Sequence, residues 1–406
     1  MASGPNQQMS PALIDWLGDQ EDRHRFVLYV ADADDLAWSD LALRHADLIL
    51  LVANAASDPG QRAWENTLLD PTDGPVARRA LVLTHDGVPE LLSGTAAWLK
   101  ARSVDFHLHL RAGVPGDFAR LTRILAGKAL GLVLGGGAAR GFAHLGVYRA
   151  LIEARIPIDW VGGSSIGAVF AAAIAQGGPL DDQLAAARHA FIEGKPFSDI
   201  TIPVLSLLRG RRMQKLIDTY LTGDIEDLPL PFFCTSSNLG QGILHVHERG
   251  PLGLAVRASA SLPGVFPPAV VDGQLVIDGG ILDNLPVDIM RRRAVSRVIA
   301  VDVTSRNNYA VNYEALPSSW AILAGRLLPF ARRYRVPSFM SLVLKATEIG
   351  TMAQVRAAGQ RADLLLRPPV SRFSLTDVRS FDEIVRVGYE HSQQAIADWQ
   401  ASQAEE

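Results

Sequence analysis

Residues 130–141 read LGLVLGGGAARG, an apolar run followed by three glycines and the start of a helical pattern. Further along, residues 163–167 read GSSIG, again between a strand-like run and a helix-like run. Glycines on both sides of a serine remove the Cβ atoms that would clash in a sharp strand-to-helix turn. The spacing of Gly163, Ser165 and Gly167 therefore predicts a nucleophile at Ser165, with Ser164 as its neighbour.

The triple glycine lies where a predicted strand leads into a predicted helix. Backbone N–H groups of Gly135, Gly136 and Gly137 can converge there on a developing negative charge. Dinucleotide and phosphate loops also place glycines after a strand. Here, however, Arg140 stands where a dinucleotide fingerprint has Gly or Ala, and the loop has no Gly-Lys-Ser/Thr. The pattern favours an oxyanion hole and an acyl-transfer enzyme.

A third glycine turn, Asp278-Gly279-Gly280, ends another strand-like run. A carboxylate held there can accept the serine proton directly as a general base. Asp-Gly is also a common turn signal, so this element alone does not separate a catalytic base from a structural turn.

The three elements in this order resemble the patatin-like phospholipases, whose fold uses a Ser-Asp dyad without histidine. Residues 131–147, GLVLGGGAARGFAHLGV, and 257–268, RASASLPGVFPP, resemble the neuropathy target esterase branch of that family. The resemblance covers nearly the whole chain. It implies that Ser165 is the nucleophile, that Asp278 is the base, and that residues 135–137 form the oxyanion loop, with Gly163, Gly167, Gly279 and Gly280 supporting the turns.

Two residues beside the glycine loop carry separate expectations. Arg140 either braces the loop by holding backbone carbonyls or meets a lipid phosphate. Ala138 stands where many members of the family have a fourth glycine. Its methyl group can be accommodated if φ is negative at that position, and activity is expected to be retained.

Length and composition indicate a soluble α/β enzyme with two domains. The chain has 406 residues, of which 48% are hydrophobic and 20% charged. We expect a flexible arm over residues 1–24, a small α/β region over 25–127 that begins with the strand-like run Phe26–Val30, and a hydrolase domain over 128–406. In the small region the strand-like apolar runs 48–53 and 80–83 alternate with helix-like stretches. The region has no glycine-rich phosphate loop, so we expect it to have a packing or regulatory role. In the hydrolase domain strand and helix patterns alternate, which predicts a three-layer patatin-like fold with a mostly parallel sheet. The patterns cover 131–134, 140–154, 160–162, 165–175, 298–302, 363–366 and 381–400.

Charge and cysteine usage limit the partners and the compartment. The net charge of −4 gives no overall attraction to nucleic acid or anionic lipid, so any membrane affinity must be local. The single cysteine, Cys234, suits a reducing cytoplasm. The first eleven residues lack a signal-peptide pattern, and no apolar run is long enough to span a bilayer. We expect a cytoplasmic protein, peripheral on the inner membrane face, that needs no cofactor.

The histidines raise two alternatives, a metal site and a catalytic triad. His107 with His109, and His245 with His247, are spaced to share a strand face, but neither pair has a nearby carboxylate or cysteine set, so no metal is expected. His391 follows Asp278 in the order of an α/β-hydrolase triad, yet it lies in a helical pattern. His144 is expected to be packed and hydrogen-bonded.

The leading interpretation is a serine esterase acting on phospholipids or lysophospholipids, and the resemblance implies this substrate class without fixing the acyl length. The alternatives are an α/β-hydrolase-type carboxylesterase using His391 and a catalytically silent lipid-binding scaffold. Ser318–Leu344 mixes large apolar side chains with Arg326, Arg332, Arg333 and Arg335, which suits a membrane surface, an acyl-channel wall or a core helix. The related esterases carry upstream cyclic-nucleotide-binding domains, for which there is no room before residue 25, so the chain is either a fragment of a longer protein or a shorter relative.

Overall fold

The computed structural model of this chain describes residues 11–32, 34–69, 77–304, 313–327, 333, 334, 336 and 339–404. The chain divides into two compact units, Met1–Glu90 with Gly94–Pro115, and Leu91–Ser93 with Gly116–Glu406. Every residue predicted for the catalytic site belongs to the second unit.

The first unit contains a small parallel sheet. Its elements are α1 (Pro11–Arg23), α2 (Leu36–His45), β1 (Leu48–Asn54), α3 (Ala63–Leu68), β2 (Arg78–His85), α4 (Thr95–Ala101) and β3 (Phe106–Arg111). The strands lie in the order β1-β2-β3 and are all parallel. Trp98 and Leu99 of α4 pack on apolar side chains of β1 and β2. The two apolar runs predicted as strands, 48–53 and 80–83, are confirmed, and a packing or regulatory role for this unit stays a prediction.

The N-terminal segment differs from its prediction in two places. The arm expected over residues 1–24 contains helix α1, which is held by the buried side chain of Leu17. Tertiary burial of an apolar face stabilises short helices more than local propensity does. Phe26–Val30 forms no strand, and Phe26, Leu28 and Val30 are exposed. The alternating pattern is present, but no neighbouring strand among the described residues pairs with it.

The second unit contains a larger α/β assembly. Its first half comprises α5 (Pro115–Leu125), β4 (Leu130–Leu134), α6 (Ala143–Glu153), β5 (Trp160–Ser164), α7 (Ile166–Gln176), α8 (Leu180–Arg188), α9 (Arg211–Tyr220), β6 (Phe232–Asn238) and β7 (Leu244–His247). Its second half comprises α10 (Leu252–Ser259), β8 (Ala269–Val271), β9 (Gln274–Asp278), α11 (Val287–Arg291), β10 (Arg297–Val301), α12 (Ser319–Leu327), α13 (Phe339–Gln360), β11 (Leu364–Leu366) and α14 (Phe381–Ala404). The boundary predicted at residue 127 thus follows α5 instead of preceding it.

The large sheet has a parallel half and an antiparallel half. Its described strands run in the order β11-β10-β4-β5-β6-β9-β8, with β7 also paired to β6. The pairings from β11 to β6 are parallel, as the alternation of patterns predicts. Strands β7, β8 and β9 pair antiparallel, an arrangement that the alternation of patterns did not predict. The strand-like run that ends at Asp278 is strand β9, as predicted. Because β4 and β5 are parallel neighbours, their carboxyl ends bring Gly135 and Ser165 to one edge of the sheet.

Helix α14 packs unusually close to α6, the helix that follows the glycine loop. A Cβ atom at Gly146 would lie 2.0 Å from the carbonyl oxygen of Val385, and one at Gly388 would lie 2.3 Å from that of Ala143. Glycine on each helix therefore permits a backbone approach that no other residue allows. Nearby, Phe142 makes tilted or edge contacts with the rings of Phe170, Phe191 and Phe381 in the core.

The mixed apolar and basic segment Ser318–Leu344 is described only in part. Helix α12 exposes Trp320, Leu323 and Leu327 to solvent. Leu328, Phe330, Arg332 and Arg335, and the side chains of Arg326, Phe339 and Met340, lie outside the described residues. Among those that are described, no helix is both long enough and apolar enough to cross a bilayer.

Candidate active site

Ser165 sits at the junction between β5 and α7 in a strained backbone conformation, with φ 56° and ψ −128°. This is the sharp turn that the glycine spacing predicts. A Cβ atom at Gly167 would lie 2.1 Å from the carbonyl oxygen of Leu134, so the turn can pack against β4 only with glycine there. The N–H group of Ser165 donates to Oγ of Ser259 at 2.9 Å. The hydroxyl group is thereby held above the start of α7, at the positive end of its dipole.

Asp278 is the hydrogen-bond partner of the serine hydroxyl. Ser165 Oγ donates to Oδ2 of Asp278 at 2.6 Å, and the N–H of Gly280 donates to Oδ1 at 2.8 Å. The carboxyl group is buried, and burial raises its pKa from 3.8 to about 6, against the opposing effect of these two hydrogen bonds. A carboxylate with such a pKa is an effective proton acceptor near neutral pH.

The glycine loop follows β4 and faces this pair, but only part of it can donate to a substrate. The N–H of Gly135 is bonded to the carbonyl of Val301 at 3.0 Å, and that of Gly136 to the carbonyl of Asn284 at 3.2 Å. Those two amides are therefore engaged, contrary to the prediction that all three glycines supply donors. Within the part of the chain that the structure describes, the N–H groups of Gly137 and Ala138 have no acceptor.

Ala138 does not have the negative φ that the sequence analysis expects. Its φ is +48°, in the left-handed region that favours glycine. Placing a Cβ atom in that region costs about 1–2 kcal/mol relative to the right-handed conformation. The reason for the strain is the turn itself, because residues 138–142 begin a short 3-10 helix directly after the loop.

Arg140 and His144 hold the glycine loop from behind. The guanidinium Nε of Arg140 donates to the backbone carbonyl of Phe373 at 2.9 Å, and the side chain is buried. This contact favours the bracing role over a lipid-phosphate contact. His144 Nε2 lies 2.8 Å from the carbonyl oxygen of Gly135, and burial lowers the pKa of its ring to about 4. A neutral ring that donates from Nε2 to that carbonyl fits both observations. His144 is packed and hydrogen-bonded, as predicted.

Asn284 joins the loop to the Asp278 turn, a connection that the sequence analysis did not assign. The side-chain Nδ2 of Asn284 donates to the carbonyl of Gly136 at 3.2 Å. The backbone carbonyl of Asn284 accepts a hydrogen bond from the N–H of Gly136. A Cβ atom at Gly136 or at Gly280 would come within 2.6 Å of the Asn284 amide oxygen. The residue follows the Asp-Gly-Gly turn closely in sequence, which is the signal that could have identified it.

Asp278 is also held by the segment 257–268, which resembles the esterase branch. The N–H of Asp278 donates to the carbonyl of Ser261 at 2.9 Å. Ser261 Oγ in turn accepts from the buried guanidinium of Arg257 at 2.6 Å. Ser237 Oγ on β6 donates to the carbonyl of Asp278 at 3.0 Å. The serines of this stretch therefore position both members of the Ser-Asp pair.

A cavity that is open to solvent lies above the pair. Ser165 and Asp278 form its floor together with the glycine loop, and apolar side chains form much of its wall. The residues lining it are Gly136, Gly137, Ala138, Ser165, Leu262, Asp278, Gly280, Ile281, Asn284, Thr351 and Leu375. An acyl chain could lie against Leu262, Ile281 and Leu375 while its ester carbonyl reaches Ser165.

The histidines singled out in the sequence lie elsewhere. His391 is in the middle of α14 and has no hydrogen bond to either member of the Ser-Asp pair. His247 is bonded to Ser236, and His245 stacks on it. His109 lies 3.0 Å from His85 in the first unit. Among the described residues, no group of three or more His, Cys, Asp or Glu is arranged to hold a metal ion. Cys234 is buried in β6, where burial raises the pKa of its thiol.

Two family models match this chain. One, described as patatin-like phospholipase, matches residues 132–291, and the other, described as the Neuropathy Target Esterase family P-loop like domain, matches residues 6–115. The first contains the glycine loop, the serine elbow and the Asp278 turn. The second covers the first unit, in which neither β1 nor β2 is followed by a glycine-rich phosphate loop.

Curated relatives are similar over almost the whole chain. Patatin-like phospholipase domain-containing protein 6 of Homo sapiens is 35% identical over 95% of this chain and 30% of its own length. Protein 7 of the same series, from Mus musculus, is 34% identical over 95% of this chain and 31% of its length. Lysophospholipase NTE1 of Mycosarcoma maydis is 30% identical over 96% of this chain and 24% of its length. This chain thus spans less than a third of the length of these relatives, and it belongs to the patatin-like phospholipase family, in the neuropathy target esterase-like branch.

Proposed function

We propose that this chain hydrolyses carboxylic ester bonds of lysophospholipids or phospholipids, with Ser165 as nucleophile and Asp278 as general base. The observation that carries the proposal is the 2.6 Å hydrogen bond from the serine hydroxyl to a buried carboxylate, made from a strained elbow at the floor of an open cavity. A serine so oriented needs no third residue to lose its proton.

In the first half of the reaction, Ser165 Oγ attacks the ester carbonyl carbon and its proton passes to Oδ2 of Asp278. The carbonyl oxygen becomes an oxyanion. The amides of Gly137 and Ala138 are free to donate to it, and each such donor is worth about 3 kcal/mol in the transition state. When the tetrahedral intermediate collapses, the C–O bond to the leaving group breaks, and Asp278 returns the proton to the departing alcohol.

In the second half, water replaces the alcohol. Asp278, ionised again, takes a proton from the water as its oxygen attacks the acyl carbon of the Ser165 ester. The second tetrahedral intermediate is stabilised by the same two amides. Its collapse breaks the bond to Ser165 Oγ, which recovers its proton from Asp278, and releases the fatty acid.

The substrate class follows from the cavity and from the relatives. Leu262, Ile281 and Leu375 offer an apolar wall to an acyl chain, while the reacting groups lie at its polar floor. The relatives are named as phospholipase domain-containing proteins and as a lysophospholipase. We further propose a cytoplasmic location with peripheral contact to the inner membrane face, for which the exposed Trp320, Leu323 and Leu327 of α12 are one source of apolar surface.

The proposal is tested by measuring fatty-acid release from a lysophospholipid and hydrolysis of a water-soluble short-chain ester. Ser165→Ala should lower kcat/KM on both substrates by about 10⁴-fold, because no other group can form the acyl intermediate. Ser164→Ala is the matched control, since it removes a buried hydroxyl one residue away that makes no hydrogen bond in the structure. Retained turnover in Ser165→Ala, or no turnover in the unaltered chain, would overturn the proposal and favour the silent scaffold.

A further inference from the structure

An apolar hairpin over residues 199–209 projects from the second unit. Four large apolar side chains at and beside its tip are among the most exposed in the chain: Ile200 at 74%, Ile202 at 81%, Val204 at 83% and Leu205 at 74%. Pro203 lies between them and is also exposed. Isolated exposed apolar residues are ordinary, but a contiguous set of this size indicates a surface that contacts something other than water.

The hairpin is ordered by backbone hydrogen bonds within itself. The N–H of Arg209 donates to the carbonyl of Asp199 at 2.9 Å, and that of Thr201 donates to the carbonyl of Leu207 at 3.0 Å. Ile200 and Leu208 also form an antiparallel bridge, with Leu208 buried beneath it. Backbone hydrogen bonds therefore close the base of the hairpin, and the apolar side chains at its tip are exposed in an ordered segment.

The base of the hairpin is attached to the segment that forms one wall of the catalytic cavity. The N–H groups of Leu207 and Leu208 donate to the carbonyls of Gly264 and Val265 at 2.9 and 3.0 Å. Leu262, which lines the cavity, is two residues before Gly264. The base of the hairpin is thus bonded to residues that follow the cavity-lining Leu262 closely in sequence, although none of the hairpin's own residues lines the cavity.

Basic side chains flank the apolar hairpin in sequence. Lys195, Arg209, Arg211, Arg212 and Lys215 are exposed, and none of them forms an ion pair with any residue that the structure describes. The acidic residues near them in sequence are Glu193, Asp199 and Asp218. The local excess is therefore positive in a chain whose net charge is −4. Apolar side chains flanked by basic ones are the combination that binds anionic lipid surfaces.

We propose that the apolar hairpin inserts its tip into the headgroup region of an anionic lipid bilayer and so brings the mouth of the cavity onto the membrane surface. The choice of a bilayer over a second protein rests on the exposed basic residues that flank the hairpin in sequence and on its backbone hydrogen bonds to the segment that follows the cavity-lining Leu262. The inference deepens the proposed function, since it supplies the route by which a lipid ester leaves the bilayer for Ser165.

The test is co-sedimentation with vesicles of phosphatidylcholine containing phosphatidylserine, using a tip variant, Ile202→Ser with Val204→Ser and Leu205→Ser. We expect its vesicle affinity to fall at least about tenfold, because the apolar contribution to insertion is removed. The matched control is Leu125→Ser with Ile152→Ser. Those two partly exposed apolar residues precede β4 and β5, at the opposite edge of the sheet from the cavity, and vesicle affinity should be unchanged.

A second variant tests the charge, Arg209→Gln with Arg211→Gln and Arg212→Gln. Its affinity for the anionic vesicles should fall about tenfold or more at low salt, and the loss should shrink as salt is added. Binding to vesicles of phosphatidylcholine alone should be nearly unchanged. Equal losses on both kinds of vesicle would overturn the electrostatic part of the proposal.

The proposal fails if the unaltered chain does not bind the vesicles, or if the tip variant binds them as well as the control does. It also fails if sedimentation velocity shows a dimer that the tip variant converts to a monomer, because the hairpin would then cover a second copy. Binding is measured in Ser165→Ala protein as well. An unaltered chain that binds the vesicles but hydrolyses no ester would count against the proposed reaction alone, whereas an unaltered chain that hydrolyses the soluble ester but does not bind the vesicles would count against the hairpin alone.

Discussion

Replacing Asp278 by Asn should inactivate the protein and at the same time stabilise it at neutral pH. In the folded chain, burial raises the pKa of this carboxyl from 3.8 to about 6. The folded state therefore binds a proton more tightly than the unfolded state does. As pH rises from about 4 to about 6, that proton is lost from the unfolded chain first, and the free energy of unfolding of the unaltered protein falls.

The size of the effect follows from the pKa difference. A shift of 3.8 to about 6 corresponds, at about 1.4 kcal/mol per pKa unit, to roughly 3 kcal/mol of destabilisation above pH 6. Asn cannot ionise, so Asp278→Asn should exceed the unaltered protein in stability by about that amount at pH 7.5, and the two should converge near pH 4. Asp283, whose pKa burial also raises to about 6, is present in both proteins and cancels in the difference.

The assay is urea unfolding of both proteins at pH 4, 5, 6 and 7.5, followed by fluorescence, with kcat/KM for a soluble ester measured on the same samples at pH 7.5. We expect the midpoint of the Asn variant to move above that of the unaltered protein as pH rises, while turnover collapses. A stability difference that does not change with pH would refute the view that ionised Asp278 lowers the free energy of unfolding. An Asn variant that is the less stable protein at pH 7.5 would refute it as well.

Other outcomes follow from the same geometry. An organophosphate should label Ser165, read by mass spectrometry, and an adduct on another residue would reassign the nucleophile. The kcat/KM for a soluble ester should rise with pH around an apparent pKa near 6, and that transition should survive in Asp283→Asn, because Asp278 is the ionising base. His391→Ala should leave kcat/KM within a few-fold, whereas a loss comparable to that of Asp278→Asn would restore the triad alternative. Ala138→Gly should relieve the strain at φ +48° and change the free energy of unfolding by less than about 1 kcal/mol, because the greater freedom of glycine in the unfolded chain offsets the relief. A loss of several kcal/mol in denaturant unfolding would contradict this expectation.

The features that the sequence predicts well are those that depend on residues a few positions apart in the chain. The two glycines around Ser165 permit a sharp turn between a strand and a closely packed helix, and the junction between β5 and α7 has that geometry. The Asp-Gly-Gly turn gave a carboxylate with a backbone donor behind it. That this carboxylate reaches Ser165 came from the family resemblance, because pairing of β5, β6 and β9 brings the two residues together and no local pattern encodes that register.

What the sequence could not give depends on partners far along the chain. The N–H groups of Gly135 and Gly136 donate to the carbonyls of Val301 and Asn284. Among the described residues, the N–H groups without an acceptor are therefore those of Gly137 and Ala138. The antiparallel pairing of β7 to β9 was missed because strand direction depends on contacts between segments far apart in sequence. Helix α1 was missed because its apolar face is narrow.

The glycine loop is held from behind by segments encoded more than two hundred residues later. Arg140 is bonded to the carbonyl of Phe373, the N–H of Ala139 to the carbonyl of Leu375, and α14 packs directly on the backbone of α6. During synthesis on the ribosome, Ser165 and Asp278 therefore emerge well before the contacts that fix the loop opposite them. A nascent chain that stops short of residue 373 carries both reacting groups but lacks these contacts to the oxyanion loop. Under the proposed function, hydrolytic competence is thus acquired only after these later segments have been made.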